Sequence, residues 1–308
     1  PFKKTSLERD QATSPRDAVS WSNKGVSLDK LGRYQEAIAC YDRALEINPR
    51  FAEAWLNKGV SLGELGRHQE EIACYDTALE INPRFAELWS NKGVCLENLG
   101  RYQEAIVCCD RALEINPSYA EAWYNKGVSL KKLGRYQEAV ACYDRSLGMN
   151  PRFAEAWLNK GVSLGELGRH GEAMACYDRV LGMNPRFAEA WLNKGVSLDK
   201  LGRYQEAVAC CDRALEINPR DAEAWYNKGN ALHKLGRYQE AITCYGRALE
   251  INPRDAETWN NKGVCLKNLG RYQEAIACYK KFIELAPPQY ASQVTRAEKI
   301  IRELEEMM

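Results

Sequence analysis

The chain has 308 residues, with 43 basic against 42 acidic side chains and a formal net charge of +1. That balance offers no electrostatic footprint for nucleic acid or an anionic membrane surface, so neither is expected as a partner. No apolar run of about 18 residues occurs, so no membrane-spanning helix is expected, and no secretory leader pattern is visible.

The first stretch, residues 1–14 (PFKKTSLERDQATS), lacks the pattern of the rest of the chain. Ser14-Pro15-Arg16-Asp17-Ala18 mimics Asn218-Pro219-Arg220-Asp221-Ala222 much later in the chain. Residues 1–17 therefore read as a linker or as the remnant of an earlier repeat. The start at Pro1 without a Met fits a fragment, and no dedicated cap precedes the first repeat.

From Trp21 the chain repeats itself. Trp21, Trp55, Trp89, Trp123, Trp157, Trp191, Trp225 and Trp259 follow one another every 34 residues. A fixed period in that range marks a solenoid. Offsets are counted from the tryptophan. Gly stands at +4, Leu at +7 and +10, Gly at +11, Ala at +16 (Glu71 in the second copy), Tyr or Cys at +20 and Pro at +28. Apolar steps of three and four are helical. Gly at +11, such as Gly32 and Gly66, suits a left-handed residue just past a helix end. Pro at +28, such as Pro49 and Pro83, ends a second helix. Each copy is thus two helices of roughly 12–15 residues joined by a short turn. The small residues at +4 and +16 let them approach, and the tryptophan is expected to fill the space beside them. One such hairpin cannot bury both faces, so the array stacks.

Copies start at Ala18, Ala52, Ala86, Ala120, Ala154, Ala188, Ala222 and Ala256. A second period of 102 residues links His68 to His170, Cys108-Cys109 to Cys210-Cys211 and Tyr124 to Tyr226. Three repeats look copied as a block, and the paired histidines fit copying as well as function. After residue 289 the pattern breaks. Tyr290, Val294, Ala297, Ile301, Leu304 and Met308 step by four and three, opposite Arg296, Lys299, Arg302, Glu303 and Glu306. Residues 290–308 are expected to form an amphipathic helix that caps the last repeat.

Trp21, Gly25, Ala37, Tyr41, Ala44 and Pro49, with their counterparts in the other copies, resemble the tetratricopeptide repeat family over residues 18–289. Three departures stand out: Lys at +3 in all copies (Lys24 to Lys262), Leu in place of an aromatic at +7, and Glu71. The expected fold is all-α, a right-handed superhelical α-solenoid of eight helix-turn-helix repeats plus a C-terminal capping helix.

Eight of the twelve cysteines recur at +19, from Cys40 to Cys278. Equivalent points in stacked helix pairs lie about 10 Å apart, and a disulfide needs Cα atoms within about 7 Å. Free thiols and a reducing, cytoplasmic compartment are expected. Cys95, Cys109, Cys211 and Cys265 replace Ser or Tyr. No Cys-x-x-Cys, His-Glu-x-x-His or phosphate loop occurs, so no catalysis, metal or cofactor is expected. His68 and His170 occupy a Tyr slot at +13 and are expected to pack as Tyr does; His233 lies in another repeat.

A binding role remains. The resemblance implies that the side of the first helix opposite its apolar stripe lines a concave groove. On a wheel of about 100° per residue this side holds −2, +2, +5 and +9. Every copy has asparagine at +2: Asn23, Asn57, Asn91, Asn125, Asn159, Asn193, Asn227 and Asn261. An amide donates and accepts, so this row can hold the backbone of an extended peptide whatever its side chains. The other reading is that these amides bond within the solenoid. At +1, Leu56, Tyr124, Leu158, Leu192 and Tyr226 are expected to form an apolar strip for peptide side chains, and Lys132 and Lys200 at +9 join the lining. A carboxylate clamp of Lys and Asn, which the resemblance would suggest, is not expected, because −2 is Glu from Glu53 to Glu257 and +1 has no Lys. Each Lys at +3 is expected to lay its stem on the stripe and reach water or a carboxylate of the second helix, or else to serve an acidic partner. The expected function is that of a protein-protein interaction module holding an extended peptide. Alternatives are a spacer or end-to-end self-assembling scaffold, the regulatory region of a larger enzyme, and an engineered array of near-identical copies.

Overall fold

The computed structural model describes residues 15–308. The reading of residues 1–14 lies outside the described residues. Among the described residues there are 17 α-helices and no strand, in two compact units. The first unit holds α1 (Pro15–Asp29), α2 (Tyr34–Ile47), α3 (Ala52–Glu64), α4 (His68–Ile81), α5 (Ala86–Asn98), α6 (Tyr102–Ile115), α7 (Ala120–Lys132) and α8 (Tyr136–Met149). The second holds α9 (Ala154–Glu166), α10 (His170–Met183), α11 (Ala188–Lys200), α12 (Tyr204–Ile217), α13 (Ala222–Lys234), α14 (Tyr238–Ile251), α15 (Ala256–Asn268), α16 (Tyr272–Leu285) and α17 (Ala291–Glu306). The described part of the first helix, Pro15–Asp29, includes three residues ahead of the repeat boundary at Ala18.

Turn chemistry sets the helix ends. The eight glycines at +11 have φ between 71° and 76°. In the first of these turns the Arg33 N–H reaches the Leu28 carbonyl at 3.0 Å and the Gly32 N–H reaches that of Asp29 at 2.8 Å, a Schellman closure. At the second turn Asn48 donates its N–H to the Ala44 carbonyl at 2.9 Å, and its Oδ1 accepts the Arg50 N–H at 3.2 Å.

Packing within a hairpin differs from the sequence expectation. The side chain beside the glycine at +4 is the tyrosine at +20, not the tryptophan. A Cβ built on Gly229 would stand 2.6 Å from the Tyr245 ring. The tryptophan sits half-buried at the junction of two repeats. Trp55 Nε1 donates to the Pro49 carbonyl at 3.0 Å, and Trp225 does the same to Pro219 at 3.0 Å. The +3 lysine lies against it: Lys58 Nζ is 5.2 Å from the centre of the Trp55 ring and 2.7 Å from Asp42. Lys228 repeats this with Trp225 and Asp212. The carboxylate does come from a second helix, but from that of the preceding repeat. One Trp–Lys pair therefore staples two neighbours.

All twelve cysteines are free and buried. Burial pushes the Cys74 and Cys108 thiols up to about 11, and Cys109 and Cys211 up to about 12. Thiolate is the reactive form, so a thiol reagent at neutral pH should label the native chain slowly and all twelve residues after denaturation. Rapid native labelling of several thiols would contradict this burial.

At the end of the second unit, Ala297, Ile301 and Leu304 of α17 join one apolar cluster with Tyr279 and Phe282 of α16. Met308 lies beyond the helix end and is 61% exposed, outside the stripe expected for it.

Candidate functional site

Within each unit, the first helices of successive repeats are linked side by side by polar groups. Ser61 Oγ on α3 donates to Asp29 Oδ1 on α1 at 2.6 Å. Asn125 Nδ2 on α7 donates to Ser90 Oγ on α5 at 3.2 Å. In the second unit Lys234 on α13 holds Asp199 on α11 at 2.6 Å, and Asn261 Nδ2 on α15 donates to the Tyr226 hydroxyl and to Asn230 Oδ1 on α13, each at 3.2 Å.

The second unit forms a cavity of about 440 Å³ on these three helices, with Asp199 and Lys200 from α11, Asn227 and His233 from α13 and Glu257 from α15 among its walls. Its polar groups are arranged by their neighbours. Tyr226 donates its hydroxyl to Glu257 Oε1 at 2.6 Å, and Asn230 Oδ1 accepts from the Tyr245 hydroxyl at 2.8 Å. Asp199 keeps Oδ1 buried and without a hydrogen-bond partner. His233 packs on Tyr238, with ring centres 5.6 Å apart. Burial first, then Lys234, pushes its pKa below the ordinary value, so the ring is neutral at neutral pH and offers one donor and one acceptor. The wall thus mixes amides, a neutral imidazole, carboxylates and ammonium groups. It is equipped to bind a polar ligand.

The asparagine row is not uniform. Asn23 is exposed and the other seven are half-buried. The amides of Asn125 and Asn261 bond across repeats, and Asn159 Nδ2 turns back to its own helix at the Glu155 carbonyl, 3.0 Å away. Among the described residues, the amides of Asn57, Asn91, Asn193 and Asn227 form no such bond.

The expected apolar strip at +1 is corrected. Leu56, Leu158 and Leu192 are each 6% exposed, too buried to receive a peptide. Position +1 lies at the edge of the core stripe, and the second helix of its own repeat and the first helix of the next close over it: Leu56 packs with Tyr75, Ala78 and Leu88, and Leu192 with Ala214, Leu215 and Ala224. Tyr124 and Tyr226 are half-buried against Tyr143 and Tyr245, with ring centres 6.0 and 6.1 Å apart. The apolar part of the lining comes instead from +5, with Val196 in this cavity and Val60 and Val94 in another on the first unit. Lys132 is exposed on α7, and Lys200 is exposed at the wall of the cavity on α11, α13 and α15.

A second cluster matches no linear motif. His68, Glu71 and Cys95 meet between α4 and α5. His68 Nδ1 is 3.0 Å from Glu71 Oε2, and the Tyr75 hydroxyl donates to Glu71 Oε1 at 3.1 Å. His68 therefore does not simply pack as Tyr. Glu71 is 7% exposed, and Gly63 makes room for it, since a Cβ there would lie 2.8 Å from the carboxylate. The backbones of α4 and α5 come together less closely than those of the corresponding pairs within either unit. The signal was visible as three departures from the repeat at +13, +16 and the next +6. Nothing in the linear order joins them.

Family likeness covers nearly all the repeats. A tetratricopeptide repeat model matches residues 18–51, 86–119, 120–153, 154–187, 188–221, 222–255 and 256–288. The chain belongs to the tetratricopeptide repeat family. A second tetratricopeptide repeat model matches 40–73, and a model of the protein prenyltransferase alpha subunit repeat matches 68–99. The copy from 52 to 85, which the first model passes over, carries His68 and Glu71. No curated protein matches the chain. Among solved structures, a tetratricopeptide repeat protein from Parabacteroides merdae is 18% identical over 82% of this chain and 98% of its own, with a TM-score of 0.62. PilW, a type IV pilus biogenesis factor, is 24% identical over 67% of this chain and 96% of its own, also at 0.62. These two establish likeness of fold alone. YrrB, described as a TPR protein with an unusual peptide-binding site, is 26% identical over 61% of this chain and 97% of its own, at 0.54. Tetratricopeptide arrays are typically non-catalytic scaffolds that bind protein partners, and its repeats make this chain a protein-interaction scaffold.

Proposed function

We propose that this tetratricopeptide scaffold holds an extended peptide segment of a partner protein along its first helices, with the cavity on α11, α13 and α15 as the central contact. The observation that carries this reading is the meeting of Asn227, Asn230, His233, Lys200 and Glu257 on one wall spanning three successive repeats. Helices pack about 10 Å apart and an extended chain rises about 3.3 Å per residue, so each repeat meets roughly every third peptide residue. An amide such as Asn227 can then pair with a backbone N–H and C=O. The valines at +5 supply apolar contact between such amides. Likeness to YrrB, with its own peptide-binding site, supports the same use of the fold. The buried free thiols support a reducing, cytoplasmic setting.

The test is peptide capture from a proteome-derived library by the full chain and by a variant carrying Asn193→Ala and Asn227→Ala. Among the described residues neither amide has a bond to lose, so helicity should not change. Two lost amide contacts of about 1 kcal/mol or more each should weaken captured peptides roughly tenfold or more. Undiminished capture would move the contact off this face. Capture by neither protein would favour a spacer and end the groove reading.

A further inference from the structure

We propose that His68, Glu71 and Cys95 form a binding site for one zinc-like divalent transition-metal ion. One ligand atom from each of the three lies within 4.8 Å of the other two. Ligands of a tetrahedral zinc ion, bonded at about 2.0–2.3 Å, stand about 3.3–3.8 Å apart. The His68 Nδ1 and Glu71 Oε2 pair, at 3.0 Å, and Cys95 Sγ therefore need only small shifts to take up three corners of such a site. An imidazole, a carboxylate and a thiol together suit zinc, not magnesium or calcium, which prefer oxygen alone.

Three supporting features surround the ligands. A cavity of about 330 Å³ opens beside them, with His68, Glu71 and Asn91 on its walls, and gives a fourth position to water. The Tyr75 hydroxyl on Glu71 Oε1 leaves Oε2 on the His68 side, the supporting contact that a ligating carboxylate usually has. Cys95 is 0% exposed, so competing thiol reagents are kept away.

The repeat itself argues against simple packing. The equivalent trio at the first repeat junction is Tyr34, Ala37 and Ser61, and at the third it is Tyr102, Ala105 and Ser129. The block copied 102 residues later keeps the histidine as His170 but has Ala173 and Ser197 for the other two. Copying accounts for His68 alone. Replacing a buried alanine by glutamate is costly unless the carboxylate is compensated, and a bound cation compensates it.

The probe is Co²⁺ alone, added to the full reduced chain, followed by Zn²⁺ displacement. One Co²⁺ per chain should bind with the intense visible absorption of a tetrahedral site and a thiolate charge-transfer band. His68→Tyr, Glu71→Ala and Cys95→Ser each install the residue that other repeats carry, so each should keep full helicity. Each should lose the band and weaken Zn²⁺ binding by at least about tenfold, the loss seen even for residues that only support a ligand. His170→Tyr and Cys265→Ser, which alter the same repeat positions where the other partners are missing, should leave binding unchanged. Absence of the band at stoichiometric Co²⁺, or a band that survives Cys95→Ser, would overturn the assignment.

Discussion

Tyr245→Ala is expected to destabilise the second unit by roughly 3–5 kcal/mol, the range for emptying a large aromatic side chain from a packed core. Tyr245 is 0% exposed. Its ring occupies the place where α13 comes nearest, so close that no Cβ fits at Gly229. The glycine and the tyrosine are two halves of one contact, and removing the ring leaves a gap bounded by helix backbone. Tyr245→Phe keeps the ring and loses only the bond to Asn230 Oδ1, so it should cost about 1 kcal/mol. Urea unfolding followed by circular dichroism would separate the two. The chain contains its own comparison. At Cys109 and Cys211 the ring is already absent, and a Cβ on Gly93 or Gly195 would meet sulfur at 3.2 or 3.3 Å and a helix carbonyl at 3.3 Å. There the smaller side chain is matched to the helix pair. A cost below about 1 kcal/mol for Tyr245→Ala would mean that α13 and α14 close over the gap, and the rigid-contact account would fail.

Deletion of residues 291–308 should lower stability by roughly 3–6 kcal/mol and make the chain self-associate. Ile301 and Leu304 account for this loss, at about 1.5–3 kcal/mol each for burial of a large aliphatic side chain. They are 8% and 3% exposed, in the cluster that also holds Tyr279 and Phe282. Without α17 the apolar face of α16 meets water, and a solenoid end in that state seeks another surface. Thermal unfolding measures the first effect and sedimentation across a range of concentrations the second. A truncated chain that stays monomeric at an unchanged melting temperature would show that α17 does not cap the array.

Much of this protein was legible because the same local instruction is written eight times. The glycine at +11 must be left-handed, and all eight are. The asparagine and proline after each second helix end it wherever they occur, and the +19 cysteines cannot reach one another in a stack. Each of these depends on neighbours within a few residues, where backbone sterics decide the outcome. The amphipathic period of residues 290–308 was readable for the same reason.

What one repeat presents to the next could not be read in this way. A helical wheel places Leu56 near the groove, yet its packing against α4 of its own repeat and Leu88 of the next decides that it is covered. Lys58 could have met a carboxylate of its own hairpin, and the stacking register gives it Asp42 instead. Two of the amides in the uniform asparagine row are spent on neighbouring repeats, because Ser90 and Tyr226 happen to stand opposite Asn125 and Asn261. His68 and Cys95 lie 27 residues apart and meet only because α4 packs on α5. The sequence by itself determined the helices, their ends and the free thiols, since these depend on local conformational preference. Only the tertiary structure decided which side chains share a cavity, since side-chain volume and packing between repeats set the register at the junctions within each unit.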